Sequence, residues 1–197
     1  MISTTVELAN HALTAIGADR ISSLTETSEA ARSANLFYEQ ARDIVLRSHP
    51  FTAAKRRAEL ATVSDDGLSN YDYKFSLPGG CLRIVKLFDS TGDDYVELTD
   101  YDREGGHIRC DKASVLCEYL TNNIEMEDMP DYLSIAISYK LASMMAFRLT
   151  AGLSVKNAMD QEYAMALSQA KVADGFQEPW RGARDTWDPY DTDASTY

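Results

Sequence analysis

Apolar residues early in the chain recur at three- and four-residue steps, the signature of helices that bury one face. Val6, Ala9, Leu13 and Ile16 mark such a face over about residues 6–16, with Thr5 as the expected cap and Gly17 as the stop. A second stripe, Ala34, Phe37, Tyr38, Ala41, Ile44 and Val45, predicts a helix from Thr27 or Ser28 to about Arg47. Arg32, Glu39, Arg42 and Asp43 are expected on its wet side. His49-Pro50 ends it, because proline disfavours helix at the residue before it.

The pattern then changes. Residues 52–61 are ambiguous: their composition favours helix, while their place between Pro50 and a Ser/Asp/Gly turn allows a strand. Tyr73, Phe75 and Leu77 alternate with Lys74 and Ser76, as in a half-buried strand. Pro78-Gly79-Gly80 turns the chain into Cys81–Phe88, the strongest strand signal in the sequence. A short strand at Tyr95–Leu98, a hairpin at Glu104-Gly105-Gly106 leading to His107–Cys110, and a strand at Ser114–Leu120 complete a block of short strands. Such a block predicts a small antiparallel sheet or sandwich.

Helical spacing returns after residue 122. Pro130 and Asp131 suit a helix start, and Leu133, Ile137, Leu141, Met144 and Met145 supply its apolar face up to Gly152. A last helix over about Val155–Ala173 carries Ala158, Met159, Tyr163, Ala166, Ala170 and Ala173, a small-residue face suited to close packing. The expected fold is α+β: a four-helix body with a small antiparallel β domain inserted between helices 2 and 3. The divisions are 1–51 (N-terminal helical part), 52–122 (β-rich insertion), 123–175 (C-terminal helical part completing the bundle) and 176–197 (extended tail).

Charge narrows the function. Residues 1–60 carry seven acids and seven bases, whereas residues 61–197 carry 24 acids against 12 bases, which accounts for the whole net charge of −12. A protein that grips nucleic acid needs a basic footprint, and this chain lacks one. An acidic wall suits instead a passage through which DNA slides without sticking. No apolar run approaches the roughly 20 residues of a membrane span, and the N-terminus has no secretory pattern, so neither membrane insertion nor export is expected. Three cysteines, Cys81, Cys110 and Cys117, form no CxxC pair, which fits free thiols better than a disulfide framework or a zinc site.

Chemistry-bearing constellations are sparse. His11, His49 and His107 share no ligand spacing with each other or with a cysteine, so no metal and no cofactor are expected. Glu125, Glu127, Asp128 and Asp131 are the densest carboxylate group, but acids gather at helix starts for dipole reasons alone. Asp65-Asp66 and Asp93-Asp94 fit turns. Gly79-Gly80 and Gly105-Gly106 open no phosphate-holding helix, and no nucleophile elbow or Walker loop occurs, so no catalytic residue is assigned. Met144-Met145 reads as core filler, with an adaptable interface as the sharper alternative.

The tail stands apart. Glu178-Pro179-Trp180-Arg181-Gly182 and Thr186-Trp187-Asp188-Pro189-Tyr190 set large aromatics among acids, with too little periodicity for a core of their own. Trp, Tyr and Arg are the residue types that most often anchor interfaces. Trp180, Arg181, Trp187 and Tyr190 are therefore the expected partner-binding residues, the alternative being that both tryptophans fold back on this chain's helices.

One resemblance draws these features together. Val6 to Gly17 contains the pattern N-x-x-L-x-x-I-G (Asn10, Leu13, Ile16, Gly17), followed by the turn Ile21-Ser22-Ser23-Leu24. An Ala-rich helix (Ala30-Ala31-Arg32-Ser33-Ala34) leads to Tyr38-Glu39-Gln40-Ala41-Arg42-Asp43 and ends in Ser48-His49-Pro50-Phe51. Tyr71-Asp72-Tyr73 precedes Leu77-Pro78, and Met129-Pro130-Asp131-Tyr132 opens the third helix. In layout, about residues 6–175 resemble the head-to-tail adaptors of tailed bacteriophages, in particular those similar to tail tubular protein A of short-tailed phages. The resemblance implies a non-enzymatic virion subunit in a dodecameric ring between the portal protein and the tail nozzle protein, with DNA passing through unread. The tail has no counterpart in the pattern, so its assignment to portal contact is an expectation of its own. Two alternatives stand beside it: a virion-associated cell-wall-degrading enzyme using Glu125 or Glu127 as acid, and another neck or head-completion protein.

Overall fold

The computed structural model describes residues 2–64, 67, 69–92, 95–150 and 152–177. They form four α-helices and two four-stranded antiparallel sheets, with the sheets lying in sequence between the second and third helices. The mixed α+β architecture read from the pattern is the one observed.

Helix α1 (Thr5–Ala15) begins one residue earlier than its apolar stripe suggested. Thr4, not Thr5, is the cap: its side chain accepts from Glu7 N–H, and the Glu7 carboxylate accepts the Thr4 N–H in return. Leu8, Ala9, Ala12 and Leu13 are buried, and Gly17 takes φ +72°, where a side chain would be strained. Helix α2 (Glu29–Ser48) is capped by the Ser28 hydroxyl and stops where His49 turns extended ahead of Pro50. It buries Ala31, Ser33, Ala34, Ala41, Val45 and Leu46. Ile44, expected in that stripe, is exposed instead. Arg42 and Asp43, expected in water, are only half exposed and pair at 3.0 Å.

Helix α3 (Asp131–Thr150) is the centre of the helical body. Helices α1, α2 and α4 (Leu153–Gly175) all pack on it, α2 and α4 without packing appreciably on one another. Being covered from several sides, α3 buries Ala136, Ala142 and three serines along with Leu133, Ile137, Leu141 and Met145. Small side chains let neighbouring backbones approach closely, and Ser134 and Ser138 satisfy their hydroxyls on the carbonyls of Pro130 and Ile135.

The ambiguous residues 52–61 resolve as a short 3-10 turn (Thr52–Ala54) followed by strands β1 (Lys55–Glu59) and β2 (Ala61–Val63). The remaining strands are β3 (Tyr73–Ser76), β4 (Cys81–Asp89), β5 (Val96–Glu97), β6 (Asp102–Glu104), β7 (His107–Cys110) and β8 (Val115–Thr121). One sheet runs β1-β8-β4-β5 and the other β2-β3-β7-β6. The chain passes between sheets at Leu60 and again at Leu77–Gly80, so consecutive strands often belong to different sheets. Leu60, Phe75, Leu87, Ile108, Cys110, Val115 and Cys117 come from both sheets and build a core separate from the helical one. The Glu104–His107 hairpin forms as read, with Gly105 and Gly106 at φ +52° and +84°. The two cores meet where Leu82 and Leu120, at the sheet's end, join the helical cluster.

Candidate interaction surface

Trp180, Arg181, Trp187 and Tyr190 lie outside the described residues, as do Asp65, Asp66, Asp93 and Asp94. The end of α4, where the described residues stop, is held by one side chain. Asp174, on the last turn of α4, is 1 % exposed and accepts the Thr52 N–H at 3.0 and 3.1 Å to its two oxygens. The Tyr132 hydroxyl donates to it at 2.8 Å, and His49 Nε2 lies 3.7 Å away. A carboxylate this buried is stable only when its lone pairs are occupied, and here the Thr52 N–H and hydroxyl, the Tyr132 hydroxyl and the His49 ring share them. The junction of α2 with the β module, the start of α3 and the end of α4 are thereby tied at one point. Phe51, fully buried, packs between His49 and Tyr132 rings at the same place. Burial first, and then the Asp174 hydrogen bond, push the Tyr132 hydroxyl well above the usual phenol range.

Above this anchor, α4 presents an unusual outer face. Leu153, Met165, Val172 and Phe176 are between 53 and 86 % exposed. Ala158, expected in the packed face, is exposed too, so Ala158, Met165 and Val172 recur at seven-residue steps on the wet side of the helix. Met159, Ala166 and Ala170 of the expected face are buried, joined by Asp174. Among the exposed positions of α4 only Lys171 is charged. Helix α2 shows a smaller strip, with Leu36 60 % and Ile44 43 % exposed and Gln40 between them. A solvent-facing helix ordinarily carries charge there.

Other groups with chemical potential are occupied by structural work. Glu125, Glu127, Asp128 and Asp131 are all exposed around a 3-10 turn. His11 Nδ1 and the fully buried Ser138 hydroxyl lie 2.8 Å apart, a pairing of α1 with α3 inside the helical body. His107 stands on β7, so the three histidines do not converge. Among the described residues no group of three or more His, Cys, Asp or Glu side chains could hold a metal ion, and no helix is long and apolar enough to cross a membrane. All three cysteines are free, and burial raises each thiol above its ordinary range, Cys117 to about 12.

A polar cleft of about 610 Å³ opens beside β6 and β7. Glu104 lies 3.6 Å from Arg109 there, Asp111 accepts the Asp72 N–H at 3.0 Å, and Tyr71 donates to Asp100 at 2.9 Å. That hydrogen bond, with burial and the neighbouring aspartates, raises the Tyr71 hydroxyl to about 12.

Sequence reading pointed to the terminal aromatics and missed both the Asp174 anchor and the outer face of α4. Asp174 was legible only as the first of several acids near the chain end. The second apolar face of α4 was legible in part, since Met165, Val172 and Phe176 keep helical spacing off the predicted stripe. No protein-family model matches this chain, and no curated protein matches it in sequence.

Proposed function

We propose that this chain is a structural virion subunit, a head-to-tail adaptor that forms a ring between portal and tail nozzle and lets DNA pass without gripping it. The observation that carries the reading is where the resembling residues stand. Asn10 closes the first turn from both sides, its amide donating to Ile21 O at 2.9 Å and its carbonyl accepting Ile21 N–H at 2.8 Å. Leu13 is buried, Ile16 caps α1 and Gly17 takes the left-handed turn. His49, Phe51 and Tyr132 meet at the Asp174 anchor. The motifs thus coincide with the positions that set the layout of the helical body. An acidic β module and apolar helix faces on one chain suit a protein that assembles with others while offering nothing to a polyanion.

The test is electron microscopy of the full chain mixed with the portal ring from the same source. A ring of this chain stacked on one portal end is the expected result. Removing 178–197, or making Trp180→Ala with Trp187→Ala, is expected to weaken portal binding at least about tenfold, the scale of lost aromatic anchors. Binding that is indifferent to the tail would overturn its role. No association at all would overturn the adaptor reading. Muropeptide release abolished by Glu125→Gln with Glu127→Gln would put a wall-degrading enzyme in its place.

A further inference from the structure

We infer that the acidic end of the terminal segment, 185–193, docks on the outer edge of β1 in the same chain, its carboxylates against Lys55, Arg56 and Arg57. β1 is the end strand of its sheet and pairs with β8 alone, from Lys55↔Leu120 to Glu59↔Leu116. An end strand leaves backbone donors and acceptors open along its other side. This one also carries the only run of three consecutive bases in the sequence. From residue 44 to 58 the chain holds Arg47, Lys55, Arg56 and Arg57 and no acid. In a molecule of net charge −12, an acidic segment is repelled by the whole and attracted here. Arg56 is exposed, and its guanidinium donates to the carbonyls of Ala53 and Lys55 at 3.0 and 2.9 Å, which holds its charge at the start of the strand. Arg57 pairs with Glu118 at 2.7 Å and stays 59 % exposed.

Charge and place together identify the occupant. Residues 185–197 carry four acids, Asp185, Asp188, Asp191 and Asp193, and no base. The end of α4 is fastened beside the start of β1: the Thr52 N–H, three residues before Lys55, lies 3.0 Å from the carboxylate of Asp174, three residues before Gln177. The Gln177 N–H bonds back to the Asp174 carbonyl at 2.9 Å, so the chain departs from this same anchor. Seven residues, 178–184, reach up to about 23 Å, against roughly 10 Å from Thr52 to Lys55. So short a tether gives an effective concentration on the order of millimolar, at which surface ion pairs that are weak singly hold as a group. An acidic segment of another protein lacks that advantage. The contact lies within one molecule and stands apart from the adaptor reading; a partner that takes the tail has to displace it.

Both tryptophans, Trp180 and Trp187, belong to the terminal segment, so fluorescence of the full chain reports on it directly. With Trp180→Phe as background, acrylamide quenching of Trp187 is expected to be at least about twofold weaker at ~0.05 M salt than at ~0.5 M, where the ion pairs are screened. Arg56→Glu/Arg57→Glu is expected to bring quenching at low salt up to the high-salt value. Asp188→Lys/Asp191→Lys is expected to do the same from the tail side, with circular dichroism and melting unchanged because no described element is touched. The two pairs combined are expected to restore protection, since the charges again oppose. Equal quenching in every variant would overturn the inference and leave the bases of β1 as a guard against strand pairing between molecules. Protection lost in the tail variant but kept in the β1 variant would place the tail elsewhere and overturn it as well. So would a combined variant that fails to restore protection, or protection that rises with protein concentration, the mark of a contact between copies.

Discussion

Asp174 shows how much one side chain decides. Its carboxylate is the acceptor for the backbone N–H and hydroxyl of Thr52 and for the phenol of Tyr132, donors from two distant parts of the chain. Asp174→Ala removes the acceptor and strands buried donors, which costs about 3 kcal/mol of stability. Asp174→Asn keeps one carbonyl oxygen and is expected to lose roughly half of that. Urea denaturation separates the two, and equal stability of all three proteins would refute the anchor. Tyr132 adds a pH dependence. Its hydroxyl is raised above the unfolded value of about 10, so below that pH it is neutral in both states and its contribution is complete. Above pH ~10 the unfolded chain loses a proton that the folded chain retains, and stability falls as pH rises towards the folded value. Tyr132→Phe is expected to flatten this alkaline limb while leaving the neutral range nearly parallel. An unchanged slope would show that the phenol does not sit in the anchor.

At the scale of elements, what was legible depended on whether a segment's pattern had one interpretation. α1, α2 and the β4 strand were readable because apolar spacing, caps and breakers agreed. Residues 55–59 were not, since Lys55, Arg56, Arg57, Ala58 and Glu59 favour helix locally; pairing with β8, from Lys55↔Leu120 to Glu59↔Leu116, overrides that preference. α4 was readable as a helix, and Met159, Ala166 and Ala170 marked its covered side; Ala158 was misplaced because apolar residues run along two faces of the helix. The division of the strands into two sheets was equally hidden, for adjacent short strands give no local sign of a change of sheet. The joint between β module and helices depends on Gly80, at φ +73°, whose absent Cβ would stand 2.8 Å from Asn122 Oδ1. The Asn122 amide reaches Asp43 of α2 at 3.4 Å, so any shift there is passed to the helical body. Gly80→Ala is expected to cost about 1–2 kcal/mol through backbone strain. Chemical denaturation checks it, and a neutral result would mean that the turn relaxes freely.

For the whole molecule the distribution of charge carries more than its total. Acids crowd the β module and the chain end, while the exposed surfaces of α2 and α4 have no net negative charge. Copies gathered in the proposed ring bring their acidic parts within reach of each other, and this repulsion acts through water and is screened by salt. Raising ionic strength from ~0.05 to ~0.5 M shortens the screening length from about 14 to about 4 Å. An apolar contact between like-charged copies therefore tightens with added salt, and sulfate tightens it further because it is excluded from apolar surface. A contact held by ion pairs behaves in the opposite way. Sedimentation velocity across a salt series distinguishes the two: assembly that grows with salt is expected, and assembly that dissolves would mean that the copies meet through charged rather than apolar surfaces.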